Sequence, residues 1–351
     1  MKHLDIKRFQ TDLLIWYNEV KRDLPWRENL DPYRILVSEI MLQQTQVATV
    51  IPYYRKFMAL FPTAGALARA DEATLLKAWE GLGYYSRARN LHASAKMIDE
   101  RGDFPTEYPE ILKLKGVGPY TAGAVASIAF GMPVPAVDGN VFRVISRLGA
   151  IFDDIAKPKT RILFEEVVKA IISKEFPGDF NQALMELGAT LCTPTSANCS
   201  ECPVRHHCQA YEKGIDDQLP VKTKPVKQKK IKWVVGIIEN ETGEWLIRKR
   251  PPTGLLANFY EFKQVKYDSG DPEEVLVQHL LAVGYEVAAI EKTGFSKHVF
   301  THRIWEMEGY LVRVNANGVV LDENEAWVSK GQLKDYAFSM AHARLLENMS
   351  I

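Results

Sequence analysis

Two groups of residues in this sequence have types and spacings that could do chemistry. The first is the cysteines. Cys192, Cys199, Cys202 and Cys208 are the only four in the chain, and their spacing is Cys-x6-Cys-x2-Cys-x5-Cys. A disulfide framework would spread them out and suits small secreted domains. Structural zinc sites present two short Cys-x-x-Cys knuckles separated by a longer loop, and only one such pair is present here. Four closely spaced thiolates can also hold an iron–sulfur cluster, although this spacing differs from the ferredoxin patterns. The residues alone leave iron–sulfur, zinc and free thiols open. In either metal-bound case the site reads as a structural clasp, because no electron partner is evident nearby.

The second group is a pair of carboxylic acids. Glu39 stands in an apolar stretch, Ile35-Leu36-Val37 before it and Ile40-Met41-Leu42 after it. Desolvation there would raise its pKa and keep it protonated. Asp138 opens Asp138-Gly-Asn-Val-x-Arg143 at the expected start of a helix, where the helix dipole favours the anion. One protonated and one ionised carboxyl make up the acid and anionic partner of glycosidic-bond cleavage. The plain alternatives are a helix glutamate with a cationic partner and an ordinary N-cap aspartate. A third feature, Gly116-Val117-Gly118, joins two helical segments. Such a turn either points free amides at a phosphate or is simply tight.

The elements that must position these groups are mainly helices. Ile6, Phe9, Leu13, Trp16, Tyr17 and Val20 recur at three- and four-residue steps, an amphipathic pattern. Further helices are expected near 33–44, 46–60, 71–79, 86–101, 107–114, 120–130, 140–149, 160–174 and 179–190, with Pro, Gly and Asp at the breaks. From Leu219 to Lys230 the chain has two prolines and five lysines and reads as a linker. Beyond it, Trp233–Ile238 and Glu244–Arg250 flank a hairpin turn, Glu273–Val283 reads as a helix and Arg303–Val314 as a strand. The expected fold class is therefore multidomain: an all-helical region followed by a small α+β domain.

Several motifs, taken in order, resemble one family. Leu-x-Gly-Val-Gly-x-x-Thr-Ala from Leu114 resembles the helix-hairpin-helix of base-excision DNA glycosylases, and Asp138 matches the aspartate that completes their site. Leu24-Pro-Trp-Arg27, Ser38-Glu-Ile-Met-Leu-Gln-Gln-Thr-Gln46, Gly81-Leu-Gly-Tyr-Tyr-Ser-Arg-Ala-Arg-Asn90 and the cysteine cluster extend the resemblance to the MutY family of adenine DNA glycosylases, over the whole chain. The resemblance implies a six-helix barrel at about 25–135 and an iron–sulfur subdomain at about 1–24 and 136–215. It also implies a linker at 216–231 and a MutT/Nudix-like domain at 232–351.

By the same resemblance the cysteines hold a [4Fe–4S] cluster. Glu39 protonates adenine at N7, and Asp138 stabilises or traps the sugar cation, with Tyr120 and Asn140 supporting. Arg22, Leu24, Trp26, Arg27, Val47 and Gln182 line the adenine pocket. Gln43, Gln44 and Tyr84 occupy wedge positions, and the hairpin Gly116, Val117 and Gly118 meets the DNA backbone. Phe300-Thr301-His302 matches a loop, usually Phe-Ser-His, that contacts 8-oxoguanine; threonine keeps the hydroxyl. Bifunctional relatives such as endonuclease III place a lysine where this chain has Tyr120, so a monofunctional glycosylase is implied. In the last domain Val277, Gln278, Leu281 and Ala282 stand where MutT hydrolases carry metal-binding carboxylates, and magnesium needs oxygen ligands. This module is expected to bind without hydrolysing. The implied partner is double-stranded DNA with adenine opposite 8-oxoguanine or guanine.

Composition sets outer bounds. The chain has 351 residues, 46% hydrophobic and 25% charged, with a mean hydropathy of −0.17. These values exclude extensive disorder, and no apolar run suits a membrane span. No signal-peptide core follows Met1. A monomer in the cytoplasm, associated with the nucleoid if bacterial, is the expectation. Forty-four basic residues balance forty-four acidic ones, but residues 216–231 carry +3 and residues 232–351 carry −4. A neutral total argues against a bulk polyanion binder and leaves room for a local phosphate-binding face. Two competing readings are a bifunctional glycosylase-lyase, opposed by Tyr120, and a non-enzymatic iron–sulfur DNA-binding protein, opposed by keeping both Glu39 and Asp138.

Overall fold

Aspartates start the helices that matter most. Asp5 caps α1 (Ile6–Val20) through the Arg8 amide, at 3.1 Å. Asp31 caps α2 (Pro32–Leu42) through the amides of Tyr33 and Arg34, at 2.9 and 3.1 Å, with Pro32 in the first helical position. Both use the side-chain oxygen to satisfy amides that the helix itself leaves unpaired. The helices that follow are α3 (Val47–Leu60), α4 (Ala64–Ala68), α5 (Glu72–Trp79), α6 (Ser86–Arg101), α7 (Tyr108–Ile111), α8 (Pro119–Phe130), α9 (Gly139–Leu148), α10 (Pro158–Ile171), α11 (Pro177–Thr190) and α12 (Gln209–Lys213). The sequence reading misses α4 and α12, which are five residues each and too short to show a period.

This computed structural model describes residues 4–223 and 228–347. Lys224, Pro225, Val226 and Lys227, within the stretch read as a linker, lie outside the described residues. The described chain forms two units, one of residues 4–70 with 86–223 and one of residues 71–85 with 228–347. Among the described residues no helix is long and apolar enough to cross a membrane.

In the first unit, α2 is buried on nearly every side from Tyr33 to Met41, as a central helix must be. It packs against α8, which packs in turn on α11. Helix α8 is lined with small residues, and a Cβ on Gly123 would stand 2.0 Å from the Pro135 carbonyl oxygen, so only glycine permits that approach. A second core gathers Phe9, Leu13 and Tyr17 of α1 with Val141 and Ile145 of α9, Phe164 of α10, and Phe180 and Leu184 of α11. Val221 accepts from the Ile155 amide at 3.0 Å, and the Thr223 amide donates to Asp154 at 3.1 Å, so the described end of the linker is fastened to this unit.

The second unit is a seven-stranded sheet made of β1 (Lys229–Glu239), β2 (Trp245–Lys249), β3 (Tyr260–Glu261), β4 (Lys263–Tyr267), β5 (Glu286–Val299), β6 (Arg303–Asn315) and β7 (Glu325–Val328). Its main path runs β3-β2-β1-β6-β5, with β4 on β1 and β7 on β2. Strands β1 and β6 are parallel, and the other pairs are antiparallel. Alternation sorts β1 onto two faces. Val235 and Ile237 join the core beneath α14 (Met340–Glu347), while Val234 and Ile238 join the core beneath α13 (Pro272–Ala282). Strand β1 begins at Lys229, opposite Arg303, inside the stretch read as linker. Residues 71–85 belong to this unit through a 3.1 Å bond from Asn258 to Glu72, a 3.2 Å bond from the Phe338 amide to Glu80, and the Tyr85 ring 4.1 Å from that of Phe259.

Candidate active site

The first unit contains a cavity of about 1050 Å³ lined from α2, α8, α11 and the start of α9. Glu39 reaches it from the middle of α2 and is 6% exposed. Its partner is the neutral hydroxyl of Tyr120, in the first turn of α8, which donates to Glu39 Oε2 at 2.5 Å. Burial pushes the Glu39 carboxyl up to about 7. The Tyr120 bond pulls it back, nearby Asp138 raises it further, and Arg27 lowers it. A carboxyl near neutrality is suited to general acid catalysis. Tyr120 is itself raised, by burial and by the two acids beside it.

Asp138 is the N-cap of α9. One oxygen accepts from the Val141 amide at 2.8 Å, and the other from Asn140 Nδ2 at 2.9 Å. Burial lifts its carboxyl, opposed by these two bonds and by Arg143. Both oxygens act as acceptors, which is the bonding the ionised form prefers. The Asn140 amide is held the right way round because Arg143 Nη2 donates to its Oδ1 at 2.8 Å. Arg143 also donates to the carbonyls of Gly188, at 2.7 Å, and Cys192, at 2.6 Å.

Other expected residues converge on the same cavity. Arg22, Leu24, Trp26, Arg27, Val47 and Gln182 line it, as do Gln43, Gln44, Gly116 and Gly118. Gln44 has a left-handed φ of +58° just after α2 ends. Arg87 Nη1 donates to the carbonyls of Ile40, Met41 and Gln43 there, fixing the turn that carries both glutamines. Gly116, at φ +75°, passes so close to Asn90 that a Cβ would lie 2.5 Å from it. Val117 is buried, so the hairpin offers backbone rather than this side chain.

Tyr84 and the loop Phe300-Thr301-His302 belong to the second unit. Tyr84 has a left-handed φ of +48° and an exposed ring. In that loop Phe300 is half-buried. It packs edge-on against His298 and Trp305, at 4.6 and 5.0 Å, which leaves Thr301 and His302 as the exposed side chains.

The four cysteines are unpaired and half-buried around one small apolar cavity with Val144, Leu148, Leu187 and Val204. Arg147 Nη1 points at Cys192 Sγ from 3.3 Å. Burial raises Cys199, Cys202 and Cys208, Cys202 to about 12, so thiolates here call for a bound cation. Among the described residues no three His, Cys, Asp or Glu side chains stand in single-ion geometry. A donor set of four thiols around a cavity fits the wider iron–sulfur group.

Residues 37–170 match the family described as HhH-GPD superfamily base excision DNA repair protein, and residues 234–348 match the NUDIX domain. An adenine DNA glycosylase of Schizosaccharomyces pombe is 33% identical over 94% of this chain and 87% of its own length. Another, from Buchnera aphidicola of Acyrthosiphon pisum, is 31% identical over 97% of both chains. The chain belongs to the adenine DNA glycosylase family. It spans 60% of the length of the Arabidopsis thaliana adenine DNA glycosylase, to which it is 36% identical. Among solved structures, a thermostable thymine-DNA glycosylase superposes with a TM-score of 0.53 at 30% identity, covering 59% of this chain and 97% of that one. A trapped endonuclease III–DNA covalent intermediate does so with 0.51 at 26%, covering 60% and 97%.

Within this family frame the structure adds residues that sequence reading passes over. Glu186 of α11 ion-pairs with Arg22 and Arg27 on the cavity wall, yet in the sequence it is one acid in an amphipathic helix. Arg143 and Arg87 stand in the family motifs without an assigned task. Most of their bonds go to backbone carbonyls, which no side-chain pattern reveals.

Proposed function

We propose that this protein removes adenine from duplex DNA where adenine faces 8-oxoguanine or guanine, as a monofunctional glycosylase. One observation carries the reading: two carboxyls share a cavity, one buried and held near neutrality beside a tyrosine and one half-buried and bonded through both oxygens. Adenine leaves only when a ring nitrogen is protonated, and its departure makes the sugar cationic. Glu39 delivers the proton to N7 of the flipped base, and Asp138 stabilises or traps the cation. Base chemistry of this kind requires extrusion from the stack. Arg22, Leu24, Trp26, Arg27, Val47 and Gln182 receive the base, Gln43 and Gln44 occupy the gap, and amides at Gly116–Gly118 take a phosphate. Tyr120 has no amine with which to form a Schiff base. The relatives named above are adenine DNA glycosylases, which supports this reading.

Cys192, Cys199, Cys202 and Cys208 would hold a [4Fe–4S] cluster, which when bound supplies a rigid cross-link between α11 and the loop after it. Thr301 and His302 would read the oxidised guanine. We take the protein to act as a cytoplasmic monomer on DNA.

The test is incubation of wild type, Glu39→Gln and Asp138→Asn with duplexes carrying adenine opposite 8-oxoguanine, guanine or thymine, scoring base release and strand breaks separately. Release is expected from the first two duplexes, with breaks only after alkali. The variants should bind while slowing by about 10²–10⁴-fold or more, the scale of general acid catalysis. Release from adenine opposite thymine at the same rate, or none from any duplex, would refute the reading.

A further inference from the structure

We propose that Glu186 is a positioning residue for the acid: it ties Arg22 and Arg27 to the cavity wall and so keeps an arginine from pairing with Glu39. This rests on the reading of Glu39 as general acid. The Glu186 side chain is 1% exposed and both its oxygens are occupied. Oε1 accepts from Arg22 Nε, while Oε2 accepts from Arg22 Nη2 at 3.0 Å and Arg27 Nη2 at 2.9 Å. Arg27 is held at two further points, donating from Nε to Gln182 at 3.1 Å and from Nη1 to the Arg22 carbonyl at 3.0 Å.

The titratable groups that act on Glu39 are Tyr120 from α8, Asp138 from the start of α9 and Arg27 from the turn after α1, while Arg87 from α6 bonds the Ile40 and Met41 carbonyls and Tyr54 from α3 meets α2 at Tyr33. Arg27 is the cation that already favours ionised Glu39. Arg22, Arg27 and Glu186 together carry one net positive charge. Without Glu186 the two arginines would carry two, and Arg22, whose side-chain bonds go to Glu186, would be released toward the remaining cavity acids, Glu39 among them. A cation within a few ångströms favours the carboxylate, and an ionised Glu39 has no proton to deliver.

A residue that only shaped the pocket would change the rate by one factor at every pH. A residue that guards a proton moves the pH profile. The experiment is single-turnover adenine release from a duplex with adenine opposite 8-oxoguanine, between about pH 6 and 9, by wild type, Glu186→Gln, Glu186→Asp and Arg22→Gln. The alkaline fall in rate should begin on the order of one pH unit lower in Glu186→Gln, a further tenfold loss at the alkaline end. It should return to the wild-type position in Glu186→Asp, which keeps the charge. It should move to higher pH in Arg22→Gln, where residue 22, Arg27 and Glu186 together become neutral. Arg22 is partly exposed, so that variant reads the sign even if Glu186→Gln fails to fold. The same alkaline limb in wild type and Arg22→Gln, with Glu186→Gln either unfolded or unmoved, overturns the proposal. A wild type that releases no adenine at any pH overturns the functional reading, and this one with it.

Discussion

Replacing Glu39 by glutamine should make the helical unit more stable relative to wild type as the pH rises. The side chain is 6% exposed, lacks a cationic partner in hydrogen-bond contact, and titrates at about 7 in the fold against 4.5 in an open chain. A carboxyl whose folded value is raised binds its proton more tightly in the native state. Its contribution to stability is complete below the unfolded value and is lost as pH climbs through the folded one. Every tenfold difference in proton affinity between the two states is worth about 1.4 kcal/mol. The full loss is therefore about 3 kcal/mol, of which about 2 kcal/mol falls between about pH 5.5 and 8. Glutamine is neutral throughout, so the variant lacks this contribution. The difference in thermal midpoint between variant and wild type should therefore widen by about 4–8 °C across that range for a unit of this size. Helical circular dichroism on heating both proteins at the two pH values measures it. A difference that stays constant within a degree would mean that Glu39 is already ionised in the fold at the lower pH. It would remove the physical basis for calling it the acid.

Borohydride should trap little wild-type protein on substrate DNA, and Tyr120→Lys should gain trapping because it brings an amine to the cavity; efficient wild-type trapping at the rate of base release would contradict the monofunctional assignment. Thr301→Ala and His302→Ala should each cost about 1–3 kcal/mol in cleavage of adenine opposite 8-oxoguanine, with little change opposite guanine, and equal losses on both duplexes would make the loop a general DNA contact. Buried His342 is held neutral, its pKa lowered by burial to about 3, so the unfolded chain binds the extra proton first. The sheet unit should lose about 2 kcal/mol from this group between about pH 7.5 and 5, and an acid slope unchanged in His342→Gln would refute that. Purified protein should contain about four irons and four sulfides per chain, whereas active protein with stoichiometric zinc would exclude the cluster.

Much of the fold is local and therefore legible. Helices α1, α3, α5, α6, α9, α10 and α11 follow from apolar steps of three and four, α2 and α8 from apolar runs bounded by Asp, Pro and Gly, and β1 from the apolar run before a hairpin turn. Strand β5 is not legible, because most of its residues are exposed along one edge of the main path and no alternation marks it. The site divides in the same way. Asp138, Asn140, Val141 and Arg143 meet within the first turns of α9, so their spacing already encodes the N-cap and its supporting amide.

What only the tertiary structure decides lies across long chain separations. Tyr120 reaches Glu39 over 81 residues, and Arg22 reaches Glu186 over 164. An apolar run around a glutamate indicates burial but does not say whether a cation or a hydroxyl will stand beside it, and that choice decides whether the buried acid keeps its proton. The same holds for Phe300, whose ring packs against a core assembled from strands and helices far along the chain. Residue types and short spacings determine which chemistry is available. Which charges meet in a low-dielectric interior, and hence which proton is present, depends on packing that no local pattern records.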